Sequence, residues 1–124
     1  MKITTFNPQI ISKNADPIVK LFEELGFEKR HNKTEIGENR ITGIRMKNAD
    51  GLALDISQFD SPAPQDIVSI RMNVDDFDEA YKVLTEHGFT NFYGDKTADT
   101  PTSKSAVMFA PSGFSINVVQ HIKK

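Results

Sequence analysis

The feature that most constrains this chain is its likeness to itself: slid by 62 residues, half its length, it matches without a gap. ADGLALDISQ (49–58) lies over PSGFSINVVQ (111–120), which sets Gly51 on Gly113, Leu54 on Ile116, Ile56 on Val118 and Gln58 on Gln120. ELGF (24–27) lies over EHGF (86–89), so Gly26 meets Gly88 and Phe27 meets Phe89. Asp16 falls on Asp78, Leu21 on Val83 and Phe22 on Leu84. Exact identity is low, and two similar units arising by coincidence is the competing explanation. Duplication explains more, because apolar pattern, helix stop and turn glycine agree at one offset.

Each half has the same order of elements. The pattern predicts a strand at about 3–11 and again at 67–74, then an amphipathic helix. Ile18, Leu21, Phe22 and Leu25 form one face of the first helix, and Phe77, Ala80, Tyr81 and Leu84 one face of the second. Asp16-Pro17 offers a cap and a first-turn proline, Asp76 with Glu79 resembles a capping box, and Gly26 and Gly88 stop the helices. Three strands follow in each half, at about 27–34, 40–47 and 52–58, then 89–95, 104–110 and 114–121. FDSPAPQD (59–66) joins the halves. The expectation is one domain of two βαβββ repeats, about 1–62 and 63–124.

Strand parity separates two faces. Leu52, Leu54 and Ile56 alternate with Ala53, Asp55 and Ser57; Phe114, Ile116 and Val118 alternate with Ser115, Asn117 and Val119. Val68, Ile70 and Met72 alternate with Ser69, Arg71 and Asn73, and Pro8 and Ile10 with Asn7 and Gln9. The apolar face is expected to pack on the helix. The other is small and polar, where an open sheet would carry long charged side chains. That suits a concave surface with room for a ligand; an exposed face with short side chains is the plainer alternative.

These halves resemble the vicinal oxygen chelate superfamily, which holds glyoxalase, bleomycin-resistance and extradiol-dioxygenase proteins. The carriers are the paired repeats, EELGF (23–27), TEHGF (85–89), VDDFDEAYKVL (74–84) and PSGFSINVVQ. The resemblance implies an α+β fold in which two βαβββ modules form a curved mixed sheet around a cleft, in a homodimer. It also implies four metal-ligand positions, on the first and last strand of each module: Asn7, Asp55, Ser69 and Asn117.

Here the sequence departs from the family. Nickel, zinc or iron call for imidazole and carboxylate donors, and only Asp55 qualifies. One carboxylate with three weak donors suits at most a loosely held, hydrated Mg²⁺ or Ca²⁺. Of the three histidines, His87 belongs to a helix end, His31 to an uncertain strand, and His121 lies near the cleft mouth by parity; none has a second histidine at chelating spacing. No metal and no cofactor are therefore expected.

By parity the cleft is lined by Asn7, Gln9, Arg45, Asp55, Ser57, Ser69, Arg71, Ser115 and Asn117. Arg71 beside Ser69 is an anchor for a carboxylate or phosphate, or else the partner of Asp55 in an ion pair. Phe92, Tyr93, Met108 and Phe109 supply either stacking contacts or core. No nucleophile–base pair stands out, and Asp55 is the one candidate general base. The polar segments 31–40 and 93–103 are either lids or surface hairpins.

Composition narrows the partners. With 124 residues, a formal charge of −2 and no basic block, neither nucleic acid nor an anionic membrane is expected as a partner. No cysteine is present, which removes disulfides and thiolate chemistry, and no apolar leader or span is evident, so the expected location is the cytoplasm. The sequence thus points to a metal-independent protein that binds a small organic ligand. A metal-dependent lyase, isomerase or dioxygenase built around Asp55 is the alternative, and a partner-binding module whose dimer surface is its function is the third.

Overall fold

The computed structural model describes residues 1–35, 41–60, 63–100 and 102–122. It divides into two compact units, Asn7–Val68 and Met1–Phe6 with Ser69–Lys124. Each is an α+β module with one helix and a mixed sheet.

The first module holds most of β1 (Ile3–Ser12), then α1 (Asp16–Glu24), β2 (Glu28–Glu35), β3 (Ile41–Lys47) and β4 (Ala53–Gln58). Its strand order is β2-β3-β4-β1, with β1 parallel to β4 and the rest antiparallel. The second holds β5 (Ile67–Val74), α2 (Phe77–Glu86), β6 (Thr90–Asn91), β7 (Ala98–Thr100), β8 (Ser103–Phe109) and β9 (Ser115–His121). Its order is β5-β9-β8-β6, with β7 also on β8. The chain's start belongs here: Lys2 N donates to Asp75 Oδ1, Asp75 N to Lys2 O, and Thr4 Oγ1 to Asn73 O.

The repeat is visible in the hydrogen bonds themselves. Gln9 pairs with Asp55 across β1–β4, and Arg71 with Asn117 across β5–β9, one repeat apart. Gln58 Oε1 accepts the N–H of Ala15 at 2.7 Å, and Gln120 Oε1 that of Phe77 at 2.8 Å. Each last strand thus satisfies an N–H at the start of its own module's helix, a group that helix geometry leaves without an internal partner. The hairpin turns match as well: Asn48 N donates to Leu52 O and Ala110 N to Phe114 O, with Gly51 and Gly113 at positive φ.

Two apolar cores lie between helix and sheet. Val19, Ile44, Met46, Leu54 and Ile56 fill the first; Met72, Phe77, Leu84, Met108 and Val118 are part of the second. Ile56 and Val118, repeat equivalents, are both wholly buried. The helix-facing parity expected for β4 and β9 therefore holds at the strand interiors, while Leu52, Val68 and Phe114 at the strand ends are exposed.

Three local expectations need correction. On α1, Val19 takes the buried position, and Leu21 and Leu25 are exposed. The stripe Ala15–Ile18–Val19–Phe22 satisfies the same helical period. Asp16 is not a cap; Ala15 holds the N-cap without a side-chain bond, and Asp16 sits in the first turn. The capping role is real in α2, where Asp76 Oδ1 accepts from Glu79 N at 3.1 Å.

The strand expected over 89–95 is only Thr90–Asn91. Asn91 Oδ1 accepts from Tyr93 N, its Nδ2 donates to Lys96 O, and Gly94 at positive φ completes a turn that lifts the chain off β8. Pairing resumes at Ala98, inside the segment expected to be a loop. Asn91 faces Met108 and Ala98 faces Ser105, so six residues span what two span opposite. In the first module the corresponding irregularity is the single residue Arg30, between Lys29 and His31. Of the other candidate lid, residues 36–40 lie outside the described residues.

Candidate functional site: the sheet faces opposite the helices

The face of each sheet turned away from its helix carries the candidate site residues in rows set by strand register. In the first module Arg45, Asp55 and Gln9 form one row across β3, β4 and β1. Ser57 follows two residues along β4, and Asn7 precedes Gln9 by two on β1. The register depends on the β3–β4 turn, where Asn48 Oδ1 accepts the N–H groups of Asp50 and Leu52. That turn sets Arg45 directly opposite Asp55.

Asp55 is 3% exposed and fully engaged. Arg45 Nε donates to Oδ1 at 2.9 Å, while Oδ2 receives Arg45 Nη2 at 3.4 Å and Asn7 Nδ2 at 3.0 Å. Beside this group Gln9 Nε2 donates to Ser57 Oγ at 2.7 Å, and both residues are buried. A buried carboxylate is tolerable only with such partners, since burial removes its water. Arg45, expected by parity to line a cleft, forms the ion pair of Asp55, because register makes them cross-strand neighbours.

In the second module the equivalent row is Val107, Asn117 and Arg71, on β8, β9 and β5. Next to it lies Phe109, Ser115 and Ser69. Arg71 and Asn117 are half-buried, while Ser69 and Ser115 are buried. Arg71 Nε donates to Asn73 Oδ1 at 3.0 Å, which fixes the guanidinium along β5. Asn73, buried and on the polar-face parity of Ser69 and Arg71, belongs with this group, though the expected cleft lining omits it. Ser69 Oγ is buried without a hydrogen-bond partner. Met108 is core, but Phe109 has the opposite parity and packs at 5.3 Å from Phe92, which in turn meets Tyr93 at 5.1 Å.

The plainer alternative of an open, solvated face fails in the first module, where Asp55 and Ser57 are as buried as Leu54. The metal-equivalent residues do not fit a transition-metal centre as they stand. Both oxygens of Asp55 already accept hydrogen bonds, and a cation there would sit against the Arg45 guanidinium. Ser69 and Asn117 supply only a hydroxyl and an amide. Among the described residues no group of three or more histidines and carboxylates is placed to hold a metal. No described helix is long and apolar enough to cross a membrane. His87 is the C-cap of α2, as its position predicts.

No known family model matches the chain, and no match was found among curated proteins. Solved structures do match. A Streptomyces coelicolor methylmalonyl-CoA epimerase variant in complex with 2-nitronate-propionyl-CoA aligns at 16% identity and TM-score 0.60, over 98% of this chain and 100% of that one. Glyoxalase I from Zea mays aligns at 12% identity and TM-score 0.66, over 98% of this chain but 44% of its own. A hypothetical protein from Bacillus halodurans aligns at 8% identity and TM-score 0.66, over 100% and 98%. The similarity is one of fold, and the shared fold is the βαβββ fold of the glyoxalases.

Proposed function

We propose that this chain binds a small organic molecule without using a metal, in the manner of bleomycin-resistance proteins. Each face offers its own candidate contacts: Asn7, Gln9, Arg45, Asp55 and Ser57 in the first module, and Ser69, Arg71, Ser115 and Asn117 in the second. On this reading the working form is a cytoplasmic homodimer. The fold supports small-molecule binding in general terms, since the epimerase structure holds a CoA compound. One observation carries the metal-free part: Asp55, the single strong metal donor at the four family positions, is buried and committed to Arg45 and Asn7.

A thermal-shift panel of divalent metals and small organic compounds tests this. The reading expects stabilisation by organic compounds alone, because a ligand that binds only the folded chain raises its melting temperature. Stabilisation by a transition metal, together with a turnover abolished by Asp55→Ala, would favour the enzyme alternative.

A further inference from the structure

We infer that the first module's non-helix face recognises an uncharged amide group, a carbonyl beside an N–H; this rests on the metal-free reading above and names its ligand class. The Asp55 cluster satisfies its carboxylate but not the carboxylate's partners. A guanidinium carries more N–H groups than one carboxylate takes up. Arg45 directs its Nε–H and one Nη2–H to the two oxygens of Asp55. The N–H pair on Nη1 and the second N–H on Nη2 have no acceptor among the described residues. The Arg45 side chain is 32% exposed, against 5% for that of Asp55, so these donors are within reach of a ligand.

Asn7 is in the same position with the opposite polarity. Asp55, ion-paired with Arg45, only accepts, so the Asn7 atom 3.0 Å from its Oδ2 is the amide nitrogen. Asn7 Oδ1 is left as an acceptor with no donor among the described residues. Arg45 Nη2 and Asn7 Nδ2 meet at the same oxygen, so unused donors and an unused acceptor flank one carboxylate. The neighbours on this face are small. Ala53 precedes Asp55 by two residues on β4, Ser57 follows it by two, and Gly43, two before Arg45 on β3, has no side chain. All of these residues belong to the one compact unit Asn7–Val68.

Charge and placement select the ligand. Arg45 and Asp55 neutralise each other, so an added anion meets the Asp55 carboxylate and Asn7 Oδ1, and an added cation meets the guanidinium. An uncharged group meets neither penalty. It has to offer an acceptor to Arg45 and a donor to Asn7, which stand on β3 and β1, on either side of β4. An amide carries those two functions on separate atoms, whereas a hydroxyl carries both on one. The repeat-equivalent positions, Val107 and Ser69, hold neither a guanidinium nor an amide, so this recognition belongs to the first module.

The test is a calorimetric titration of the full chain with benzamide, benzoate, benzamidinium and acetophenone, which share a ring and differ in the group attached to it. Benzamide is expected to bind at least tenfold more tightly than the anion or the cation. Acetophenone keeps the carbonyl but has a methyl group in place of the amide nitrogen. It is expected to bind about tenfold more weakly than benzamide, the effect of one hydrogen bond. In Asn7→Ala the benzamide and acetophenone affinities should converge, a coupling that a general loosening of the site would not give. The comparison of the four compounds on the unaltered chain does not depend on that variant folding.

Benzoate or benzamidinium bound as tightly as benzamide, acetophenone equal to benzamide on the unaltered chain, or an undiminished benzamide preference in Asn7→Ala would overturn the inference. So would the absence of benzamide binding; stabilisation by other organic compounds would then leave metal-free binding standing. Submicromolar Zn²⁺ binding would instead overturn the reading beneath it.

Discussion

The two modules agree where folding makes demands and differ where a ligand would touch them. Strand register, the glutamine that reaches back to the helix, and the glycine turns coincide at the 62-residue offset. On the faces opposite the helices the agreement ends. Arg45–Asp55–Gln9 becomes Val107–Asn117–Arg71, a row with a guanidinium and a carboxylate against one with a guanidinium and an amide. A packed core and a turn accept few solutions, because volume and backbone angles are fixed. The faces away from the helices are under neither constraint, so they can diverge while the fold is kept.

The largest expected effect breaks the first module's row. Arg45→Met leaves the Asp55 carboxylate buried without its ion partner and should cost about 3 kcal/mol in urea unfolding. Asp55→Ala strands only a half-buried guanidinium and should cost about 2 kcal/mol. Asn117→Ala, at the repeat-equivalent position, removes a neutral amide and should cost about 1 kcal/mol. Equal losses at Asp55 and Asn117 would mean that the two rows are not electrostatically different after all.

Glycine gives a second, smaller contrast. Gly26 and Gly88 both stop helices at positive φ, so either change to alanine costs about 1 kcal/mol in backbone strain. At Gly88 the added Cβ would also lie 2.9 Å from Pro111 Cγ, whereas at Gly26 nothing stands within 4 Å. Gly88→Ala should therefore melt lower than Gly26→Ala, and the reverse order would place the contact elsewhere.

The smallest contrast lies in the helix starts. Gln58→Leu and Gln120→Leu each remove an acceptor worth about 1 kcal/mol. The loss should be greater for Gln58, because α1 has no side-chain cap at Ala15 while α2 keeps Asp76. Thermal melts of the two variants, read side by side, check the order.

Much of this was legible in the sequence. The repeat alone aligns Gln58 with Gln120 and Asp55 with Asn117, and parity puts Leu54, Ile56, Ile116 and Val118 toward the helices. What parity does not supply is the partner across a turn. Arg45 meets Asp55 only because the Asn48 turn fixes the β3–β4 register, a tertiary detail. The break after Asn91 carried a signal in NFYG, asparagine and glycine three apart, outweighed by two aromatics that read as strand. On α1 two apolar stripes shared the helical period. The repeat favours the right one, because Val19 aligns with Tyr81 on the second helix's buried face.

The metal-free reading proposed above holds that the four family positions, Asn7, Asp55, Ser69 and Asn117, bind no transition metal. Equilibrium dialysis of the purified chain against Ni²⁺ and Zn²⁺ tests it most directly. The account predicts no stoichiometric retention of either ion at submicromolar concentration. One ion held per chain, and lost in Asp55→Asn, would contradict it.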